Sequence, residues 1–71
     1  MENEEYYKNI FVERLKKLIG EKSVKVFATE IGVSENTVKG WLKKKIMPKS
    51  KHLIILASKF GVRMNYLVGL E

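Results

Sequence analysis

The chain contains 71 residues, with no cysteine, one proline and a formal net charge of +6 at pH 7. This length allows a single domain over residues 1–71, with a free energy of unfolding of roughly 4 to 10 kcal/mol and a core formed without disulfides. No apolar run approaches the roughly 18 residues of a membrane span, and the acidic start is unlike the basic start of a secretory signal. We therefore expect a soluble, cytoplasmic chain with no membrane contact.

The positive charge is concentrated in one part of the chain. Residues 1–21 carry five acidic and four basic side chains, whereas residues 22–71 carry three acidic and ten basic ones. Lysine and arginine that neutralise phosphates release condensed counterions, so this asymmetry favours a polyanionic partner. The alternative is a lysine-rich surface that only keeps the chain soluble.

Periodicity and capping residues predict three helices in the first part of the chain. Apolar residues at spacings of three and four predict an amphipathic helix over about residues 5–19, which Gly20 ends. Ser23 can cap a second helix to about Ile31, with Gly32 as its left-handed closing residue. Ser34 can cap a third helix over about residues 34–44.

A turn and two further helices complete the predicted fold. Pro48 lacks a donor N–H and pushes the preceding residue out of the helical region, so residues 45–49 form a turn. Ser50 can cap a fourth helix over about residues 50–60, which Gly61 ends, and a short fifth helix follows over about residues 64–68. We predict an all-α fold of five helices.

The second and third helices have the spacing of a helix-turn-helix. Two helices that cross steeply need a small side chain at their contact, a reversal of the chain within a few residues and an apolar anchor on the second helix. Ala28, Gly32 and Val38 meet these three requirements. The third helix could then lie in the major groove of DNA, with its first turn facing base edges.

Polar side chains on the outer face of the third helix could read bases. Asn36 could pair with an adenine edge, Glu35 could accept from a cytosine amino group and Thr37 could meet a thymine methyl. Lys39 could reach guanine or phosphate, and Gly40 either permits close approach to DNA or only weakens the helix. The alternatives are a favourable charge at a helix N-terminus for Glu35 and a solvated side chain for Asn36.

A group of lysines surrounds the turn after the third helix, where the chain would pass a sugar-phosphate strand. These lysines are Lys43, Lys44, Lys45, Lys49 and Lys51. Phosphate contacts fix the register of a protein on DNA without reading sequence, and this is the role we predict for them. The alternative is a solvated basic loop.

Aromatic and histidine side chains give weaker functional signals. Trp41 could stack on a base, but its spacing from Val38 places it on the apolar side of the third helix and favours core packing. His52 is the only histidine and has no cysteine or carboxylate at ligand spacing, so we predict no enzyme activity, small-molecule substrate, metal or other cofactor.

The chain resembles the helix-turn-helix domains of Cro and CI repressors, also called the XRE family, and most closely the phage CI-repressor branch. The resemblance covers about residues 11–69. It is carried by FATEIGVS at residues 27–34, TVKGWL at 37–42, MP at 47–48, LIILASKFGV at 53–62 and NYLVG at 65–69. It implies a compact five-helix, lambda-repressor-like DNA-binding domain of a prokaryote or phage, acting in transcription and most often as a repressor.

The resemblance also assigns residues. The family's base-reading positions fall on Glu35, Asn36 and Gly40, with Thr37 and Lys39 beside them. Its phosphate-binding positions fall near Ser34 and residues 43–45. Many members have a glutamine that touches phosphate where this chain has Val24, so that contact comes from Ser23 or Lys25 or is absent.

Members of the family usually bind a two-fold operator as dimers. A homodimer contact through the C-terminal residues Tyr66, Leu67 and Leu70 is therefore expected, although these residues could instead close the core.

Two other function classes fit parts of the pattern. A helix-turn-helix fold could serve as a protein-protein interaction module, with the apolar C-terminal residues as the docking surface, but the lysine distribution favours DNA. A helix bundle on an anionic membrane would need a helix with a long apolar face opposite lysines, and none is predicted.

Overall fold

The computed structural model describes residues 4–71, which form five α-helices and no strand. The helices are α1 (Glu4–Ile19), α2 (Val24–Ile31), α3 (Glu35–Lys43), α4 (Ser50–Phe60) and α5 (Met64–Leu67). The prediction of an all-α fold with five helices is confirmed. Among the described residues, no helix is long and apolar enough to cross a membrane.

The residues predicted to cap α2 at both ends and α3 at its start do so in the structure. The Ser23 hydroxyl accepts a hydrogen bond from the Val26 N–H at 3.1 Å, and the Ser34 hydroxyl accepts one from the Thr37 N–H, also at 3.1 Å. Gly32 has a φ of 77° and ends α2 in the left-handed conformation. The predictions for Ser23, Gly32 and Ser34 as capping residues are confirmed.

The prediction that Ser50 caps α4 is wrong. Ser50 is the first residue of α4, and Lys49 occupies the capping position without a side-chain hydrogen bond. The Lys49 carbonyl already accepts hydrogen bonds from the N–H groups of His52 and Leu53, so the helical pattern begins one residue before Ser50.

All five helices contribute to one apolar core. Phe11 and Leu15 of α1, Phe27 of α2, Val38 of α3, Leu56 of α4 and Leu67 of α5 are fully buried in it. The Phe27 and Phe60 rings stack at a centroid distance of 5.5 Å, and the Phe11 ring meets the Trp41 ring edge-on at 6.3 Å. The described residues include no buried polar or charged side chain, so packing of apolar side chains holds the helices together.

The C-terminal segment is attached to α1. The Arg14 guanidinium donates a hydrogen bond to the Tyr66 carbonyl and lies 4.3 Å from the centroid of the Tyr66 ring. A Cβ atom at Gly69 would lie 3.2 Å from Tyr7 Cδ1, tighter than most van der Waals contacts, and Gly69 has a φ of 87°, so glycine suits this close approach to α1. This attachment fixes α5 on the face of α1.

The position of α5 corrects one part of the dimer prediction. Leu67 is fully buried because it packs into the core of its own chain, so it is not available for a contact between subunits. Tyr66 is half-buried, and Leu70 is 62% exposed.

Candidate nucleic-acid interface

The turn between α2 and α3 positions α3 at the surface. Gly32 reverses the chain, and the Val33 N–H donates to the Ala28 carbonyl at 3.0 Å. Ala28 and Val38 are both buried where α2 and α3 pack together. The small residue, the left-handed glycine and the apolar anchor thus occupy the positions that a helix-turn-helix requires.

The two sides of α3 differ in their surroundings. Val38 and Trp41 lie in the core, which confirms the prediction that Trp41 is a packing residue. Asn36 and Lys39 are exposed, and the side chain of Asn36 forms no hydrogen bond with the rest of residues 4–71. The exposed side of α3 therefore presents an amide that is free to bind another molecule.

Hydrogen bonds at the start of α3 engage the hydroxyl of Thr37. Its hydroxyl lies 2.8 Å from the Ser34 hydroxyl, and the residue is half-buried. Ser34 and Thr37 together close the first turn of the helix. The hydroxyl of Thr37 is thus occupied within the protein, whereas a methyl contact with thymine does not need it.

An ion pair joins two other candidate base-reading residues. Lys39 Nζ lies 3.3 Å from Glu35 Oε2, and both side chains are partly exposed. The spacing of four residues brings them together on one face of the helix. Because Lys39 offsets the charge of Glu35, the carboxylate adds little repulsion toward a phosphate strand.

Gly40 is not required by packing within the chain. A Cβ atom built on Gly40 would have only Ile46 Cδ1 within 4 Å, at an ordinary contact distance of 3.7 Å. The Gly40 carbonyl accepts hydrogen bonds from the N–H groups of Lys44 at 3.0 Å and Ile46 at 3.4 Å. An alanine would therefore fit this position, and no contact within the free protein requires a glycine here.

A cavity of about 370 Å³ lies beside the exposed face of α3. The residues that line it include Asn36 and Gly40 of α3, and Ile46, Lys49 and His52 from the following segment. The His52 ring packs 5.6 Å from the Trp41 ring, and the residue is half-buried. Asn36, Gly40 and Lys49 were predicted from the sequence as site residues, whereas Ile46 and His52 were not. Ile46 lies in a turn without periodicity, and His52 lies in a helix predicted from its apolar positions.

The candidate phosphate-binding lysines fall into two groups. Lys25, Lys43, Lys44, Lys49 and Lys51 form no ion pair within residues 4–71. Lys45 Nζ, in contrast, lies 3.0 Å from Glu5 Oε2 of α1. Ser23 and Ser34 use their hydroxyls as helix caps, and both residues are exposed.

The described residues contain no group of three or more histidine, cysteine, aspartate or glutamate side chains that could hold a metal ion. The exposed groups around α3 include the amide of Asn36, lysine ammonium groups and the apolar side chain of Ile46, which suit contacts with bases, phosphates and sugars.

Two packed helices joined by a short glycine turn, with an exposed polar face and unpaired lysines beside it, are typical of a helix-turn-helix DNA-binding domain. Residues 10–71 match the family model for the bacteriophage CI repressor helix-turn-helix domain, and the chain belongs to this family. No curated protein and no solved structure matches the chain. The protein is thus a DNA-binding regulator of the phage CI repressor type.

Proposed function

We propose that this chain represses transcription by binding a specific double-stranded DNA operator, with α3 in the major groove. The observation that carries the proposal is the exposed amide of Asn36, which forms no hydrogen bond within residues 4–71 and lies one helical turn from Gly40, a residue without a side chain. The asparagine amide N–H can donate to N7 of adenine while the amide oxygen accepts from the N6 amino group, so the two groups form a bidentate pair. Each such pair is worth about 1 to 3 kcal/mol of discrimination against the wrong base.

The unpaired lysines around α3 support contacts with the phosphates of the DNA backbone. Lys43, Lys44, Lys49 and Lys51 lie on the α3–α4 segment, and Lys25 lies in the first turn of α2, which Ser23 caps. If these five lysines each neutralise one phosphate, log K falls against log salt with a slope of about −4.5 per bound chain. Such contacts set the register that brings Asn36 to its base.

The repressor role includes two copies on a two-fold operator. Two bound domains would read half-sites about 34 Å apart, on the same side of the duplex. The half-buried Tyr66 and the exposed Leu70 remain the candidate contact residues between the copies. A chain of this kind acts in the cytoplasm of a prokaryotic cell, where the operator is accessible.

Selection of binding sites from random duplexes tests the base-reading role. The wild-type chain should select a two-fold motif, and Asn36→Ala should lose preference at one position of each half-site. Asn65→Ala is the matched control, because Asn65 is an exposed asparagine of α5 outside the cavity. An unchanged motif for Asn36→Ala would refute base reading by this residue.

The salt dependence of affinity tests the phosphate contacts. Lys44→Ala should reduce the slope by about 0.9, because one fewer phosphate is neutralised. Lys59→Ala is the matched control, since Lys59 is an unpaired lysine in the last turn of α4, about 12 Å along the helix from Lys51. No duplex binding at low salt would instead favour a protein-interaction module.

A promoter carrying the selected site tests the repressor role. Expression of the chain should lower transcription from this promoter, whereas Asn36→Ala should not. Increased transcription would show an activator.

A further inference from the structure

Ile46 is an exposed isoleucine in the middle of the basic surface, and the proposed function gives it no role. The residue is 52% exposed, and its neighbours in the chain include Lys44, Lys45 and Lys49. Single exposed apolar residues are common on proteins, so the surroundings must decide whether this one has a function.

The backbone holds Ile46 in place against α3. Lys45 has a φ of 55°, a left-handed conformation that residues other than glycine rarely adopt. This turn lets the Ile46 N–H reach the Gly40 carbonyl at 3.4 Å and brings Ile46 Cδ1 beside Gly40. An ion pair between Lys45 and Glu5, exposed to solvent, joins the same turn to α1.

Ile46 also forms a ridge between two concave surfaces. It lines the cavity of about 370 Å³ beside Asn36 and a second cavity of about 590 Å³ next to Tyr7 and Lys8 of α1. The ridge thus stands directly beside the face of α3 that carries Asn36 and Gly40. A ligand that covers this face also covers Ile46.

We propose that Ile46 makes an apolar contact with DNA at the edge of the major groove, beside the space that Gly40 leaves open. DNA offers apolar groups of two kinds there, the C5-methyl of thymine and the C–H surface of deoxyribose. The lysines around Ile46 can bind the phosphates on either side of such a group. DNA therefore suits both the positive charge of this surface and its exposed isoleucine. This inference depends on the proposed function.

The affinity of Ile46→Ala for the selected operator tests the contact. Ile54→Ala is the matched control, because Ile54 is 53% exposed on α4 and lines none of the three cavities found around α3. Loss of the isoleucine carbons that DNA would cover should weaken binding roughly tenfold, whereas Ile54→Ala should bind as the wild type does. A thermal unfolding midpoint of Ile46→Ala equal to that of the wild type would show that its loss of affinity does not come from unfolding.

Replacement of each thymine by deoxyuridine then identifies the contacted group. If Ile46 touches a thymine methyl, one replacement weakens wild-type binding roughly fourfold and has no effect on Ile46→Ala. If it touches deoxyribose, Ile46→Ala weakens binding to every duplex by the same factor. Either result supports the apolar contact.

Two results would overturn the inference. If the wild type selects an operator and Ile46→Ala binds it as tightly as Ile54→Ala, the contact does not exist although the proposed function stands. If the wild type binds no duplex, both the proposed function and the contact fail.

Discussion

Gly40→Ala should make the protein more stable and its binding to DNA weaker. In the free protein, the added methyl meets only Ile46 Cδ1, at 3.7 Å, so it creates no clash. Gly40 lies inside α3, where alanine is favoured over glycine by about 1 kcal/mol. For a domain of this size, that gain raises the thermal unfolding midpoint by roughly 4 to 8 °C.

On DNA, the same methyl should occupy space that the duplex needs. Overpacking at a close contact costs about 1 to 3 kcal/mol, which corresponds to a roughly 5- to 150-fold loss of affinity. Thermal unfolding followed by circular dichroism and fluorescence anisotropy with a labelled operator measure the two effects separately.

Ser58→Ala is the control for this experiment. Ser58 is exposed within α4 and lines none of the cavities around α3, so its replacement should add some helix stability without a change in affinity. A stabilised Gly40→Ala variant that binds as tightly as the wild type would refute close approach of DNA at this residue. A destabilised variant would refute the reasoning about packing.

Three other variants and one control, Leu70→Ala, test the cap, the core and the ion pair. Ser34→Ala removes the cap of α3 and should lower the free energy of unfolding by about 1 kcal/mol in denaturant titrations. Leu67→Ala should cost about 2 to 5 kcal/mol because Leu67 is fully buried, whereas Leu70→Ala should change stability little because Leu70 is 62% exposed. Glu5→Gln releases Lys45 from its ion pair, so binding to the operator should tighten at low salt and its salt slope should steepen by up to about 0.9. The stability of Glu5→Gln should change by less than about 1 kcal/mol, since both partners are exposed to solvent.

Each of these variants has a contrary result. Unchanged stability of Ser34→Ala would mean that Thr37 or water replaces the cap. Similar losses for Leu67→Ala and Leu70→Ala would contradict the burial of α5 in the core. An unchanged slope for Glu5→Gln would show that Lys45 does not reach a phosphate.

Local chemistry explains why the sequence predicts the helices well. Periodic apolar residues and the capping residues Ser23, Ser34 and Gly32 act within a few positions along the chain, so their effects can be read from the sequence. The prediction of Ser50 as the cap was wrong, because α4 begins from the backbone of Lys49 without a side-chain cap. Leu67 was ambiguous, because the sequence does not show which apolar C-terminal residue packs against α1.

The details of the candidate site depend on contacts that sequence spacing does not reveal. The ion pair of Lys45 with Glu5 joins residues 40 positions apart, so the sequence could not show that one of these lysines is already paired. The position of Ile46 beside Gly40 depends on the left-handed conformation of Lys45. Glycine or asparagine would have predicted this conformation from the sequence, whereas lysine does not.

The packing of Trp41 gives the protein a built-in optical reporter. It is the only tryptophan of the chain, and its indole lies on the inner side of α3, 5.6 Å from the His52 ring. Its emission therefore originates from the helix proposed to enter the groove and from the wall of the adjacent cavity. Unfolding and operator docking can both be followed by intrinsic fluorescence, without attaching a dye to any surface that the DNA would touch.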